Sequence, residues 1–433
     1  MKKFNFHVKP IGLLDMLHFK EMVPRRRAIL QAGSLEPITA NYAVNRLAKS
    51  LHPKEQKAVV SEIIARKDAN TYVLKADKLA YFRAGQYVSV KIRVGNAVTA
   101  RPYTLAASPA KAFDGEYQIT VKKAQDGFVS EYILANWKVG TEVTLSGPEG
   151  PFSYEPIRDE AEVVGLAGGS GITPFMAMAY AILDGTEDFR LTLIYGSRTK
   201  KDILYSKELE QICTETDKVR VVHVLSEDKA KGYEHGFISA ELIKKYAPET
   251  YTLYICGPRA MHDFLEDELP KLGLDQKHIR REFVPAPGSP EYFKSYAGDP
   301  SKVFSLKLLF IGEDRIIPLR ADEPILTAID RAGIPAPSHC RSGECGWCRS
   351  RLISGDVFIP ESMDGRRMAD SGAGYIHPCS SWALSDLELE IFPEVPLEDL
   401  IEVPVPAEKP KTAEAAQKSE EPVKTEPNVD NEE

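Results

Sequence analysis

A chain of 433 residues is longer than one hydrophobic core can organise, because domains cluster at roughly 100 to 150 residues and cores stop growing near about 250 to 300, so three domains plus tails are expected. With 43% hydrophobic and 27% charged residues the balance is that of an ordinary globular protein, in which disorder can only be local. A formal net charge of -8, with Arg25 to Arg27 as the one tight basic run, argues against nucleic acid as a partner.

The residues behind Lys2 and Lys3 are interrupted by His7, Lys9, Pro10 and Asp15, which speaks against a signal peptide. No run reaches the ~18 apolar residues of a membrane span, and a cytoplasmic location is the expectation. Residues 1–55 read as an extension of unassigned role, with apolar positions at mixed spacing from Ile11 to Val23 and a short helix from Ala43 to Leu51. Residues 56–155 follow with short alternating stretches, Ala58 to Ala65, Thr71 to Lys75, Tyr87 to Arg93, Tyr117 to Lys122 and Glu142 to Leu145, split by Gly, Asp, Asn and Pro. That spacing predicts an antiparallel β-barrel.

Across residues 156–284 the rhythm becomes strand, helix, strand, helix. Continuous apolar runs at Ala161 to Leu166, Leu191 to Tyr195, Val219 to Leu225 and Tyr251 to Cys256 predict strands buried on both faces. With helices at Thr173 to Leu183, Leu204 to Cys213, Ala240 to Tyr246 and Ala260 to Leu272, they form a doubly wound α/β domain. Residues 285–302, rich in Pro, Gly and Ser, read as a linker. Residues 303–392 contain a hairpin-like pair, a helix from Pro324 to Ala332, a cysteine-bearing loop and a last strand from Leu387 to Phe392. From residue 393 to 433 aromatic residues are absent and Pro, Glu, Lys and Ala dominate, which predicts a disordered acidic tail.

Three motifs lie in the first two domains. Arg101-Pro102-Tyr103-Thr104, read as following a barrel strand, offers a guanidinium for a phosphate, a ring to stack on a flat ligand and a hydroxyl for its edge. Taken alone it also fits a turn arginine beside a core tyrosine. Gly168-Gly169-Ser170-Gly171-Ile172-Thr173 joins a predicted strand to a predicted helix, where backbone N–H groups and the helix dipole favour a pyrophosphate. By itself such a turn can be a tight connection. Cys256-Gly257-Pro258 ends a later strand of the same predicted sheet, so both motifs can converge at the carboxyl ends of strands.

Four of the six cysteines, Cys340, Cys345, Cys348 and Cys379, stand as C-x4-C-x2-C, then thirty residues, then C. This is the spacing of plant-type [2Fe-2S] ferredoxins, with Gly343 and Gly346 placed to let the loop curl. Zinc is the competing reading, though zinc sites favour paired C-x2-C knuckles. A Rieske centre needs two histidine ligands, and the four cysteines already complete a set, so His339 and His377 read as loop packing.

Taken together with Val121-Lys-Lys, Gly127-Phe-Val-Ser, Gly147-Pro-Glu-Gly-Pro-Phe and Tyr195-Gly-Ser-Arg, these motifs resemble the ferredoxin-NADP reductase superfamily. The cysteine-bearing unit after them resembles the ferredoxin domain of oxygenase reductase components of the phthalate dioxygenase reductase or phenylacetyl-CoA epoxidase reductase type. The resemblance implies a β-barrel flavin domain, an α/β nucleotide domain and a β-grasp ferredoxin domain. It implies FAD, with FMN as the alternative, a [2Fe-2S] cluster on the four cysteines, and NAD(P)H as donor.

By the same resemblance Arg101 would pair with flavin phosphate, and Tyr103 and Thr104 would face the ring, with Cys256 beside the reacting centre. Val121, Gly127, Val129 and Ser130 would complete the flavin site. Gly168, Gly169, Ser170, Gly171, Ile172, Thr173, Gly257 and Pro258 would hold the nicotinamide nucleotide, and Phe283 would shield the flavin. Ser197 and Arg198 near Lys200 and Lys201 incline the choice toward NADPH, with Asp202 opposing. The implied activity is electron transfer from NAD(P)H to a redox protein such as an oxygenase. The alternatives are the reverse reaction and a non-catalytic electron-transfer subunit.

Overall fold

The computed structural model describes residues 47–48, 51–95, 97–124, 128–310 and 313–391. The expected extension up to residue 46, Gly127 and the expected acidic tail lie outside the described residues.

Alternating side chains make the first sheet: β1 (Gln56–Arg66), β2 (Ala69–Lys75), β3 (Tyr87–Val94), β4 (Ala97–Thr104), β5 (Glu116–Lys122) and β6 (Glu142–Leu145). They pair antiparallel in the order β4-β3-β6-β1-β2-β5, and a bridge between Leu105 and Ile119 draws the two edges together into a barrel. One residue of each pair along a strand enters the core, where Val60, Tyr72, Leu74, Val88, Ile119 and Val121 are buried. One expectation needs correction: Arg101 to Thr104 is the end of β4 rather than a segment after a strand. Phe128 to Ser130 forms the first turn of a helix, α1 (Phe128–Asn136). Only Val129, Ser130 and Ile133 of α1 are buried, so its apolar residues do not form the long stripe by which a helix is recognised.

The second sheet is parallel and runs β10-β9-β8-β7-β11-β12: β7 (Glu162–Gly168), β8 (Arg190–Ser197), β9 (Val219–Leu225), β10 (Glu234–His235), β11 (Thr252–Cys256) and β12 (Ile279–Arg281). Helices α2 (Thr173–Leu183), α3 (Ser206–Glu215), α4 (Ala240–Tyr246) and α5 (Arg259–Glu268) connect it. Every residue of β11 is buried, as its unbroken apolar run predicts. The strand order reverses between β7 and β11, which is where a ligand crevice opens in such sheets.

A buried carboxylate staples the base of this sheet. Asp159 accepts from Arg158 and Tyr254, each at 2.7 Å, and pairs with Arg280 at 2.6 Å. Burial would raise its pKa, but the hydrogen bonds from Arg158 and Tyr254 outweigh that and hold it below the usual carboxylate value. Such a group contributes stability above its unfolded-state pKa of ~4 and loses it as pH falls through the lower folded value. Asp159→Asn is therefore expected to cost about 3–5 kcal/mol at neutral pH in chemical denaturation and to flatten the acid limb of the stability curve.

The third sheet, in the order β14-β13-β19-β15-β17, contains β13 (Val303–Phe310), β14 (Glu313–Arg320), β15 (Ser350–Ser354), β17 (Tyr375–Ile376) and β19 (Leu387–Glu390). The short pair β16 (Val357–Phe358) and β18 (Trp382–Ala383) stands beside it. Here β13 pairs antiparallel with β14 and parallel with β19, and α6 (Ile325–Arg331) buries Ile325, Ala328 and Ile329 with Leu306, Leu308 and Leu389. This is the expected β-grasp arrangement. A last short helix, α7 (Met368–Gly372), precedes β17.

The segment expected as a linker is strapped down. Phe293 packs edge-on to Trp382 with centroids 5.7 Å apart, Tyr296 meets Phe358 at 5.2 Å, and Trp382 Nε1 donates to the Gly288 carbonyl at 3.2 Å. Its Pro and Gly content marks a boundary, but Tyr292, Phe293 and Tyr296 supply aromatic surface that a free linker would leave in water.

Candidate active site

A cleft of about 710 Å³ opens where the barrel, the carboxyl ends of β7 and β11 and the third domain meet. Arg101, Tyr103 and Thr104 line it from β4, where Thr104 pairs in register with Tyr87 of β3, itself part of the wall. Tyr103 is packed closely enough that burial pushes its phenol up, so the ring is neutral. Arg101 is committed in part to its own strand: Nη1 donates to the Ala100 carbonyl at 2.9 Å, and the guanidinium lies 4.0 Å from Asp330 of the third domain. Burial, then the charge of Arg341, lowers its pKa to about 10, which leaves it cationic at neutral pH.

Val129 and Ser130 line the same cleft from the start of α1. Val121 does not line it, since its side chain is fully buried in the barrel core. Its neighbours Thr120 and Lys122 point the other way along the strand and line the cleft instead. Lys122 stands in the Val121-Lys-Lys motif without an expected role, and strand alternation directs it to the cleft once Val121 is placed in the core.

The two motifs of the parallel sheet do converge. Cys256 pairs in register with Ala167, and Ser170, Gly171, Thr173, Cys256, Gly257 and Pro258 share the cleft wall. A Cβ on Gly171 would stand 2.2 Å from the Cys256 carbonyl oxygen, so only glycine permits this approach of two backbones. Burial, then the neighbouring Glu282, pushes the Cys256 thiol up, so it is a neutral thiol. Glu282 and Phe283 line the cleft beside Cys256, with the Glu282 N–H donating to the Ile255 carbonyl at 2.9 Å, and burial raises the Glu282 carboxyl to about 8. Phe283 lies edge-on to Tyr87 at 6.2 Å. Ile172 is absent from the wall and packs in the core beneath it.

A second cleft of about 570 Å³ continues from the first, with Lys122 and Pro258 lining both. Gly168, Gly169, Ser197 and Arg198 border it, and Phe237 and Phe264, with centroids 5.6 Å apart, supply its apolar side. Asp202, expected near this point as a possible counterweight to phosphate, is engaged by Lys67 at 2.6 Å and by the Thr199 N–H at 3.0 Å.

The cysteines form two pairs. The Cys345 thiol, together with the N–H groups of Ser342 and Cys345, hydrogen-bonds to Cys340 and draws its pKa down, while Cys379 is paired with Cys348. Cys345 is exposed and the other three are buried. Gly343 and Gly346 take φ values of 85° and 71°, which turn the loop around the sulfurs. Among the described residues no three His, Cys, Asp or Glu side chains gather about a single metal ion. Two sulfur pairs fit a binuclear centre in which each iron takes two cysteines. His339 pairs with Glu149 and stacks on Trp347 at 4.2 Å, and His377 Nδ1 meets the Gly343 carbonyl at 2.5 Å, so both histidines shape the loop. Cys379 lines the large cleft.

Fold and site together define an iron–sulfur flavoprotein oxidoreductase. Residues 57–154 match the oxidoreductase FAD-binding domain, residues 166–267 the oxidoreductase NAD-binding domain and residues 309–383 the 2Fe-2S iron-sulfur cluster binding domain. The chain thus carries an FAD-binding, an NAD-binding and a 2Fe-2S domain in that order, the set that the resemblance to the ferredoxin-NADP reductase superfamily implies. A glycine betaine monooxygenase reductase subunit of Chromohalobacter salexigens is 27% identical over 341 residues, which are 75% of this chain and 91% of that protein. A subunit of the 1,2-phenylacetyl-CoA epoxidase of Escherichia coli is 28% identical over 314 residues, 70% of this chain and 86% of its own. In fold the chain is similar to phthalate dioxygenase reductase, with a TM-score of 0.58 and 23% identity over 78% of this chain and 97% of that one.

Proposed function

We propose that the protein takes electrons from NAD(P)H and delivers them one at a time, by way of FAD and the [2Fe-2S] cluster, to a separate redox protein such as an oxygenase. One observation carries this reading: Cys379, a cluster cysteine, forms part of the same cleft wall as Tyr103, Thr104 and Cys256. Bound flavin supplies the conversion between a two-electron donor and a one-electron acceptor. Each NAD(P)H then yields two single electrons and one proton, and two acceptor equivalents are reduced.

The chain's own residues orient and shield. Tyr103 packs against the ring system, Thr104 offers its hydroxyl to the ring edge, and Arg101 with Ser130 meets phosphate. Burial raises the Cys256 thiol and the Glu282 carboxyl, which disfavours negative charge on both at this part of the cleft. Gly168 to Thr173 and Gly257 to Pro258 let the nucleotide backbone approach the sheet, while Ser197 and Arg198 favour NADPH because Asp202 is already paired. Cytoplasmic residence belongs to the same reading; among the described residues no helix is long and apolar enough to cross a membrane.

Anaerobic titration with NADH and NADPH, followed by visible and EPR spectra, tests the proposal. Flavin bleaching with a reduced-cluster signal is expected, and a flavin that bleaches while the cluster stays oxidised would refute it. Phe237→Ala should weaken stacking on the nucleotide base by about 1–3 kcal/mol. The expected sign is a higher KM with little change in kcat, as for uniform binding, in steady-state assays.

A further inference from the structure

The boundary between the barrel and the third domain holds a buried polar cluster that the electron route above touches only at its edge, through Arg101, whose guanidinium donates to Thr99 and lies 4.0 Å from Asp330. Thr99 of β4, Asp330 of α6 and Arg341 of the cysteine loop are all buried. Thr99 Oγ1 donates to Asp330 Oδ2 at 2.8 Å. Arg341 donates through Nη2 to Thr99 Oγ1 at 2.7 Å and to Asp330 Oδ2 at 2.5 Å, and through Nε to the Ala100 carbonyl at 2.6 Å. The backbone of Arg341 takes part too, since its carbonyl accepts from the Ala286 N–H at 2.8 Å. Four segments thus meet at one residue, Arg341: the flavin-side strand and the ferredoxin helix at its guanidinium, the connecting strap at its carbonyl, and the cysteine loop that carries it.

We propose that Arg341, Asp330 and Thr99 form a positioning lock that fixes the cysteine loop against β4 and so sets the rate of electron passage from flavin to cluster. Three physical points carry this. Thr99, Arg101 and Tyr103 alternate onto one face of a single rigid strand, so an anchor at Thr99 is also an anchor for the residues that line the cleft. Arg341 directly follows the cluster cysteine Cys340 and holds φ at 57°, a value non-glycine residues resist, which its hydrogen-bonded side chain sustains. Finally, a buried ion pair adds little net stability against a well-packed apolar alternative, but it tolerates only one register of its partners. Removing one partner leaves the other buried group unpaired, which loosens the seating of the cysteine loop on β4 as well as costing stability.

The inference rests on the proposed electron route, and the test separates the two. In the holoprotein, Asp330→Asn and Thr99→Val are compared with wild type by anaerobic stopped-flow, recording flavin bleaching by NADPH or NADH and the later reduction of the cluster. Flavin content, iron content and the EPR line shape of the dithionite-reduced cluster are measured alongside. The hydride step should stay within about twofold, while flavin-to-cluster transfer slows by about tenfold, the factor equivalent to ~1.4 kcal/mol of lost docking. The double variant should slow little further, because both changes open the same lock. Variants with full flavin and iron content and a wild-type transfer rate would overturn the lock. An absence of any flavin-to-cluster transfer in wild type would instead overturn the electron route. Should Asp330→Asn fail to fold, Thr99→Val, a near-isosteric change in the barrel, carries the test alone.

Discussion

Cys345→Ala is expected to abolish the reduced-cluster EPR signal while leaving flavin bleaching by the nucleotide in place. The reason is the pairing of the sulfurs, Cys340 with Cys345 and Cys348 with Cys379: on the proposed ligand set, loss of one thiol would leave one iron with a single protein sulfur. The hydride-accepting cleft contains neither Cys345 nor the residues bonded to its sulfur, and the first half-reaction is untouched. Reduction of cytochrome c should fall by at least about 10–100-fold, a range seen even when only an outer partner of a metal ligand is removed. A variant that kept its EPR signal would show that the cysteines do not ligate the cluster as paired here.

Gly171→Ala should be the most damaging single methyl group in the nucleotide domain. Its Cβ would lie 2.2 Å from the Cys256 oxygen, 2.5 Å from the Cys256 carbonyl carbon and 2.8 Å from the Gly257 Cα. All three are backbone atoms, so no rotamer can relieve the clash. The ends of β7 and β11 must move apart, at an overpacking cost of about 1–3 kcal/mol. A displacement of about 1 Å at a reacting centre can cost ~100-fold in rate, and the hydride step in stopped-flow is where the loss should appear. The cluster, reduced directly by dithionite, should be normal. Gly372→Ala is the control: nothing lies within 4 Å of its added Cβ, and no comparable loss is expected.

Local chemistry is readable wherever it is written in contiguous residues. The cysteine spacing, the glycine turn after β7 and the Cys256-Gly257-Pro258 strand end each depend on a few neighbours, and the helices Thr173–Leu183 and Ala240–Tyr246 fall where the alternation with apolar strand runs puts them. The short helix α1 escapes because few of its residues are buried. The strap around Tyr292 to Tyr296 escapes because its aromatic partners, Phe358 and Trp382, are more than sixty residues away.

Side-chain direction is the second thing the sequence left open. Val121, grouped with the cofactor residues, turns its side chain into the core, and the same strand presents Lys122 to the cleft. Ile172 likewise sits below the turn whose backbone faces the crevice.

The amino-acid sequence alone determined the kind of chemistry: four thiols at ferredoxin spacing, glycines where a phosphate must come close, and a strand pattern that switches from period two to buried parallel runs. Those features act over a few residues and survive as patterns in one dimension. The tertiary structure decided that Cys379 borders the cleft of Tyr103 and Thr104, and that Arg341 reaches Asp330 and Thr99. Hydrogen bonds between residues 99, 330 and 341 depend on how domains dock, and docking leaves no periodicity in the chain.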